Sequence, residues 1–435
     1  MYKKGTLAYL IFAFCLGAMA LLAADSPNDT TTTTDNTATT ADTASPSSDP
    51  ASAPAVEGPL SRWLQLNTLS FGMRYRNTSD FDGFHLFHFG QERSLIDGAV
   101  KLDAQGKYQI HFHASSGRYF NWAYADEIGG NFEVAPNSLA RFHPNMLPLL
   151  GESVILDNAF FELTQKHLDS RGWQIYLRQL YASATPIKQI TVEYGGLGIE
   201  RGLNSEMTTY DDDGYMTGGR LRIKDPDHLF FDQLAATFGY LGDIYIPNIF
   251  DRGNRFLQSN YHQFLAEKKL KGHFDASVDY TEHFGTHTLR EGILVNTAKS
   301  RMIDSVRGEF YQRTNDVVLQ TIKFGGGSGW GFTGAKKIVK KWNVEGGFAS
   351  VDKNYPVYTG SSFMCAVGHS INGDAYAIGN RLFGRASYKV ALGTTLFGYY
   401  THIVDTDFMT LNRQTVEGGI DLNLKEMISR KFNLF

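Results

Sequence analysis

Hydrophobic and polar positions alternate with a period of two along much of this 435-residue chain. Residues 274–282 show the pattern cleanly. Phe274, Ala276, Val278 and Tyr280 fall on one side, and Asp275, Ser277, Asp279 and Thr281 on the other. Successive side chains of a strand point to opposite faces, so the run predicts a strand with one apolar and one polar face. Comparable runs lie at 69–76, 96–103, 108–115, 173–184, 218–224, 307–313, 342–350, 381–390 and 416–424. Short stretches bearing Gly, Asn or Asp at 104–107, 169–172, 314–316 and 392–394 read as hairpin turns. Proline is kept mainly to 25–58 and 136–148, where no sheet ladder needs its missing N–H. From residue 60 onward the pattern predicts roughly eighteen strands, about 16–18, in an all-β chain. Longer connections are expected at 77–93, 118–153, 197–217, 242–261 and 352–380. Counting strands back from the C-terminus puts 352–380 at the outer end of a barrel and 197–217 and 242–261 at the inner end.

The charged residues fall on single faces. In the run G-G-R-L-R-I-K, Arg220, Arg222 and Lys224 oppose Leu221 and Ile223. Arg307, Glu309, Tyr311 and Arg313 oppose Val306, Gly308 and Phe310, and Arg381, Arg385 and Lys389 oppose Leu382, Gly384, Ala386, Tyr388 and Val390. Each Arg or Lys facing lipid near the midplane of a membrane would cost about 2–4 kcal/mol, so in a closed barrel these faces turn to a wet lumen. Asp97, Asp103, Glu193, Asp275, Asp279, Glu309, Glu345, Glu417 and Asp421 share the same faces. The expected pore lining is therefore Arg220, Arg222, Lys224, Arg307, Arg313, Arg381, Arg385, Lys389, Asp275, Asp279, Glu345 and Glu417. A wall of mixed sign favours cross-strand pairs. A basic constriction made by Arg220, Arg222, Arg381 and Arg385 is the sharper alternative, and on a soluble sheet the same charges would face bulk water. Aromatics, 13% of the chain, gather near strand ends at Tyr75, Trp122, Trp173, Trp330, Trp342, Tyr399 and Tyr400, which suits membrane interfaces.

The N-terminus carries Lys3 and Lys4, an apolar stretch over 7–24, and small residues at Ala18, Ala20, Ala23 and Ala24. That is the layout of a cleaved export signal, residues 1–24, with cleavage after Ala20 or Ala24. Cys15 follows Phe14 rather than a small residue, which argues against a lipid-modified cysteine. Residues 25–59 are rich in Thr, Ser, Pro and Ala, cannot offset their ordering entropy, and read as a disordered tether. Processing leaves one cysteine, Cys365, so a disulfide-stapled fold is excluded. No second apolar run reaches the ~20 residues of a helical span. A net charge of −4 argues against a nucleic-acid partner.

Signals for catalysis are weaker. His111 and His113 share a strand face near His85 and His88, but no Cys or carboxylate completes a metal-ligand spacing. Asp211, Asp212 and Asp213 lack the alternation and closing Glu of a calcium loop. Gly325, Gly326 and Gly327 are not followed by the Gly-Lys-Ser/Thr of a phosphate loop. The sequence predicts no catalytic residue, cofactor or metal. A Ser or Asp within hydrogen-bond reach of a histidine on adjacent strands would instead mark an enzyme.

The export signal, the alternating strands of residues 60–435 and the terminal Phe435 together resemble a Gram-negative outer-membrane β-barrel of the porin-like family. Residues 425–435 depart from that pattern, because Phe432 and Leu434 alternate while Phe435 breaks their parity. The resemblance implies a closed antiparallel transmembrane barrel in the outer membrane, passing small hydrophilic solutes by passive diffusion. It implies outer-membrane lipid and the barrel-insertion machinery as partners, and raises a homotrimer as an assembly. Two other readings remain: an outer-membrane lipid or glycan hydrolase with a site at the barrel rim, and a secreted β-sandwich binding protein.

Overall fold

A computed structural model of the chain describes residues 62–80, 85–116, 123–124, 175–203, 216–225, 229–241, 248–270, 274–283, 286–297, 302–313, 317–319, 322–324, 328–338, 341–351, 379–404 and 413–432. Nineteen strands occur among them. They are β1 (Leu64–Asp80), β2 (His85–Lys101), β3 (Tyr108–Ser116), β4 (Ala123–Tyr124), β5 (Ile175–Ile187), β6 (Ile190–Leu197) and β7 (Met216–Ile223). Then come β8 (Gln233–Leu241), β9 (Tyr261–Leu270), β10 (Phe274–His283), β11 (Thr286–Asn296), β12 (Ser305–Arg313), β13 (Val317–Leu319) and β14 (Ile322–Phe324). The last are β15 (Ser328–Ile338), β16 (Trp342–Val351), β17 (Gly379–Ala391), β18 (Thr394–Val404) and β19 (Arg413–Asn423), followed by helix α1 (Leu424–Phe432). Among the described residues no helix is long and apolar enough to cross a membrane.

The sheet closes on itself. Each long strand pairs antiparallel with its neighbours in sequence, and β1 pairs with both β2 and β19, from Ser70 opposite Asn423 to Asp80 opposite Arg413. The wall has sixteen strands, not about eighteen. Among the described residues the short β4 pairs with β2, beside β3, and β13 and β14 pair with each other in a separate two-stranded sheet. Three short runs with strand character therefore add nothing to the circumference.

Alternation decides the two faces. On β9 to β12, Phe264, Val278, Ile293 and Phe310 are exposed, whereas Gln263, Asp279, Arg290 and Glu309 are buried. The same holds across β15 and β18, with Phe332 and Leu396 exposed and Thr333 and Thr401 buried. An apolar outside around a charged inside inverts a soluble protein and matches a surface solvated by lipid. Glycine makes room for aromatics across the ladder. Phe383 lies opposite Gly347, Phe397 opposite Gly419, Phe112 opposite Gly98 and Tyr311 opposite Gly329. A Cβ at Gly347 or Gly419 would stand 2.6 Å from the partner ring. Each ring covers bare backbone, so a side chain there would displace it.

An even number of strands returns the chain to the end at which it entered. The connections β2–β3, β5–β6, β9–β10, β15–β16 and β17–β18 are short and share that end, and Gly106 (φ 68°) and Gly393 (φ 66°) make two of the turns. The connections after β3, β6, β8 and β16 leave from the opposite end. The connections after β6 and β8 thus leave from the same end as the connection after β16, correcting the placement predicted by counting strands. The predicted connection at 77–93 is mostly strand. β1 runs on to Asp80 and β2 begins at His85, with Asn77 opposite His88 and Thr78 opposite Phe87 in the ladder.

The terminal segment is corrected too. The last strand stops at Asn423, whose Oδ1 accepts a hydrogen bond of 2.9 Å from the Glu426 N–H and caps α1. The expected signal, the tether, Phe435, Trp122, Trp173, the turns at 169–172 and 314–316, Asp211–Asp213, Gly325–Gly327, Cys365 and most of 118–153 and 352–380 lie outside the described residues.

Candidate functional site: the charged inner wall

Two ion pairs are set directly by strand register. Glu193 on β6 faces Arg220 on β7, and Asp279 on β10 faces Arg290 on β11. Arg220 Nη1 lies 3.1 Å from Glu193 Oε2, its Nε donates to Thr237 Oγ1 at 3.0 Å, and its Nη2 donates to the Gly198 carbonyl at 2.5 Å. Arg290 Nη2 lies 2.9 Å from Asp279 Oδ2. All four side chains are buried on the face enclosed by the wall.

The chain leaving β6 folds back onto this face. Gly202 takes a left-handed φ of 58°, and a Cβ there would stand 2.8 Å from Leu265 Cδ1 and 3.1 Å from Ser277 Cβ. The Leu203 N–H donates to Ser277 Oγ at 3.0 Å, and Gln263 Nε2 donates to the Glu200 carbonyl at 2.6 Å. Residues 198–203 therefore form a strap that starts on β6 and reaches β10. The strap carries Glu200, whose carboxylate accepts from Arg222 Nε at 3.2 Å and from Gln233 Nε2 at 3.1 Å. Arg222 also pairs with Glu193 through Nη1. Burial alone would raise the Glu200 carboxyl, but Arg222 and Arg220 outweigh it and hold it below its ordinary value.

The rest of the inner wall is likewise mixed in sign. Arg74 donates to Gln91 Oε1 at 2.7 Å and pairs with Glu417 at 3.2 Å across the β1–β19 seam. Arg93 reaches past Gly72 to Asp421 at 3.4 Å. His113 Nδ1 lies 3.7 Å from Asp97, and His111 Nε2 lies 2.8 Å from Ser183 Oγ while stacking on Tyr181 at 4.5 Å. Arg385 sits over the Phe397 ring at 5.7 Å. Arg307, Asp275 and Glu345 are half-buried. Lys224 lies just past β7, where its N–H donates to the Gln189 carbonyl at 2.8 Å, and Lys389 pairs with Glu426 of α1 at 3.3 Å. Both mark the short-turn end. Arg313 and Arg381 hold positions opposite Thr288 and Ala349, and their side chains lie outside the described residues.

Strand β7 is sixth and β17 fourteenth around the ring, so they stand eight strands apart in either direction. The four arginines named for a basic constriction thus belong to opposite walls. Arg220 and Arg222, however, are already engaged by Glu193 and Glu200. Among the described residues no group of three or more His, Cys, Asp or Glu could hold a metal ion. The sequence reading missed the strap. Gly198, Gly202 and the isolated Glu200 were its signals, but nothing in the strand pattern shows that a loop turns inward.

No family model matches the chain, and no curated protein sequence matches it. Solved structures do. The crystal structure of Acinetobacter baumannii OccAB3 matches with a TM-score of 0.50 at 9% identity, over 82% of this chain and 98% of that one. Acinetobacter baumannii OccAB1 matches with a TM-score of 0.49 at 11% identity, over 84% and 99%. A triple mutant of the Rhodopseudomonas blastica porin matches with a TM-score of 0.42 at 8% identity, over 82% and 99%. At such identities the likeness concerns fold. The closed antiparallel ring of this chain is thus like that of OccAB3 in fold.

Proposed function

We propose that the chain is a passive channel of the outer membrane for small hydrophilic solutes. The observation that carries this reading is the closed sixteen-stranded ring, apolar outside and charged on its enclosed face. Rings of about this size leave an aqueous bore rather than a packed core. The strap at 198–203 narrows that bore against β7 to β10, with Glu200 as its charged tip. Arg220, Arg222, Lys224, Arg307, Arg313, Arg381, Arg385, Lys389, Asp275, Asp279, Glu345 and Glu417 belong to its lining or rims. Because Arg220, Arg222, Glu193, Glu200, Asp279 and Arg290 are mutually paired, the filter discriminates more by size than by charge. Conduction requires no cofactor and no catalytic step. Outer-membrane lipid surrounds the barrel, and the insertion machinery handles it during biogenesis.

Planar-bilayer recording of the refolded full chain tests the reading. Stepwise conductance is expected, and Glu200→Gln together with Arg222→Gln should alter it by widening the strap's clearance. An intact barrel that produces no conductance step refutes it.

A further inference from the structure

The outer face carries a constellation that conduction does not use. It lies at the long-loop end of β8 to β11. A 3-10 helix (Ile249–Arg255) ends just before β9, and the short stretch between them presents Ser259 in an exposed position. His262, the second residue of β9, points outward. Its Nε2 lies 3.0 Å from Ser259 Oγ. Register places Glu282 of β10 directly opposite His262, with Oε2 3.5 Å from Nδ1. One orientation of the imidazole therefore addresses the hydroxyl with one nitrogen and a carboxylate with the other. A carboxylate at Nδ1 favours the tautomer protonated there and leaves the Nε2 lone pair toward the hydroxyl. Phe238 supports the ring edge-on, with centroids 5.6 Å apart.

The surroundings point to a substrate class. One step toward the membrane on the same outward rows lie Phe264, half exposed, and Tyr280, and then the exposed Val278. Arg255 rests on the Tyr240 face at 4.4 Å and donates to Gln258 Oε1 at 2.8 Å, so a cation is tied to the residue preceding Ser259. Apolar wall on one side and positive charge on the other frame a molecule with acyl chains and an anionic head. The ester carbonyls of such a molecule would fall between the two, at the level of Ser259.

We propose that Ser259, His262 and Glu282 act as nucleophile, base and orienting carboxylate in hydrolysing acyl esters of lipids in the outer leaflet. Ser259 Oγ attacks the ester carbonyl while its proton passes to His262 Nε2. The tetrahedral adduct collapses, the C–O bond to the alcohol breaks, and the alcohol leaves with the proton from Nε2. Water then adds to the acyl-serine, giving one proton to Nε2, which returns it to Ser259 Oγ as the carboxylic acid departs. One ester and one water yield one acid and one alcohol.

The test uses the full chain refolded in detergent, with heat-modifiable migration confirming the barrel. A fluorophosphonate probe followed by peptide mapping should label Ser259, and the label should vanish in Ser259→Ala and His262→Ala. Phospholipid mixed micelles should release fatty acid, at background rate in Ser259→Ala and at least about tenfold more slowly in Glu282→Gln. A folded barrel unlabelled at Ser259, or fatty-acid release unchanged in Ser259→Ala, overturns the triad. Turnover confined to a dissolved short-chain nitrophenyl ester overturns the assignment to lipid. Ser259→Ala should conduct like the parent, so failure of the triad and failure of the channel are told apart.

Discussion

Removing Asp279 tests whether the inner wall is held by buried ion pairs. Asp279 is 0% exposed and Arg290 3% exposed, so water does not screen them. The carboxylate accepts from Arg290 Nε at 3.1 Å and Nη2 at 2.9 Å, and from Gln263 Nε2 at 3.0 Å. Arg290 also donates to Thr281 Oγ1 at 3.2 Å, which fixes the guanidinium in place. Asp279→Ala leaves that guanidinium buried without its matching charge and should destabilise the barrel by about 3–5 kcal/mol. Arg290→Ala should cost a similar amount. The double variant removes both charges, so its loss should fall short of the sum by about 2 kcal/mol or more. Urea unfolding in lipid vesicles, followed by tryptophan fluorescence, completes the cycle. Single losses below about 1 kcal/mol that simply add would show that water reaches the pair and would refute the reasoning.

Asp232 and Asp304 each precede a strand at the short-turn end, and hydrogen bonds from Lys268 and from Lys336, with backbone N–H groups of Lys269 and Lys337, hold their carboxyls below the ordinary value. Folded pKa values are depressed there, so this stabilisation is complete above the unfolded value of about 3.9 and lost as pH falls through the folded values. Unfolding midpoints measured against pH should drop in that acid range, and less steeply in Asp232→Asn with Asp304→Asn. Gly329→Val collides with the Tyr311 ring and should cost about 1–3 kcal/mol, whereas Gly308→Val meets nothing within 4 Å and should be neutral or mildly stabilising in the same unfolding assay. Glu291 is exposed on the outward face of β11 between Val278 and Phe310. Glu291→Leu should raise stability in vesicles by about 1–2 kcal/mol.

The strands were legible because a barrel writes its two solvents into every second residue. Phe274 to Thr281 declared β10 and its orientation, and the pairing of Asp279 inward beside an outward Val278 followed from parity. The number of strands was not legible, because Val317–Leu319 and Ile322–Phe324 have strand composition yet bond only to each other. Alternation says which way a residue points and nothing about which chain it meets. Residues 77–80 looked like loop because Asn, Thr, Ser and Asp satisfy turn chemistry. Their ladder bonds to β2 and β19 outweigh that preference. The inner-wall candidates came from the same parity, and Arg220 and Asp279 could be named without coordinates. Their partners Glu193 and Arg290 depend on register, which the sequence leaves open by two residues in either direction. The strap and the Ser259–His262–Glu282 cluster depend on a loop's path and on cross-strand register, and neither leaves a periodic trace.

Closure of the ring is the claim beneath both the bore and the lipid-facing surface. Cysteines at Met73 and Ile420, register partners on the outward face of the β1–β19 seam, test it in a background with Cys15 and Cys365 replaced by serine. Mild oxidation of the folded protein should join the two in nearly every molecule, because paired strands bring their Cα atoms within disulfide reach. If the folded barrel remains unjoined while a control pair across β17 and β18 joins readily, the sheet has open edges and the account is contradicted.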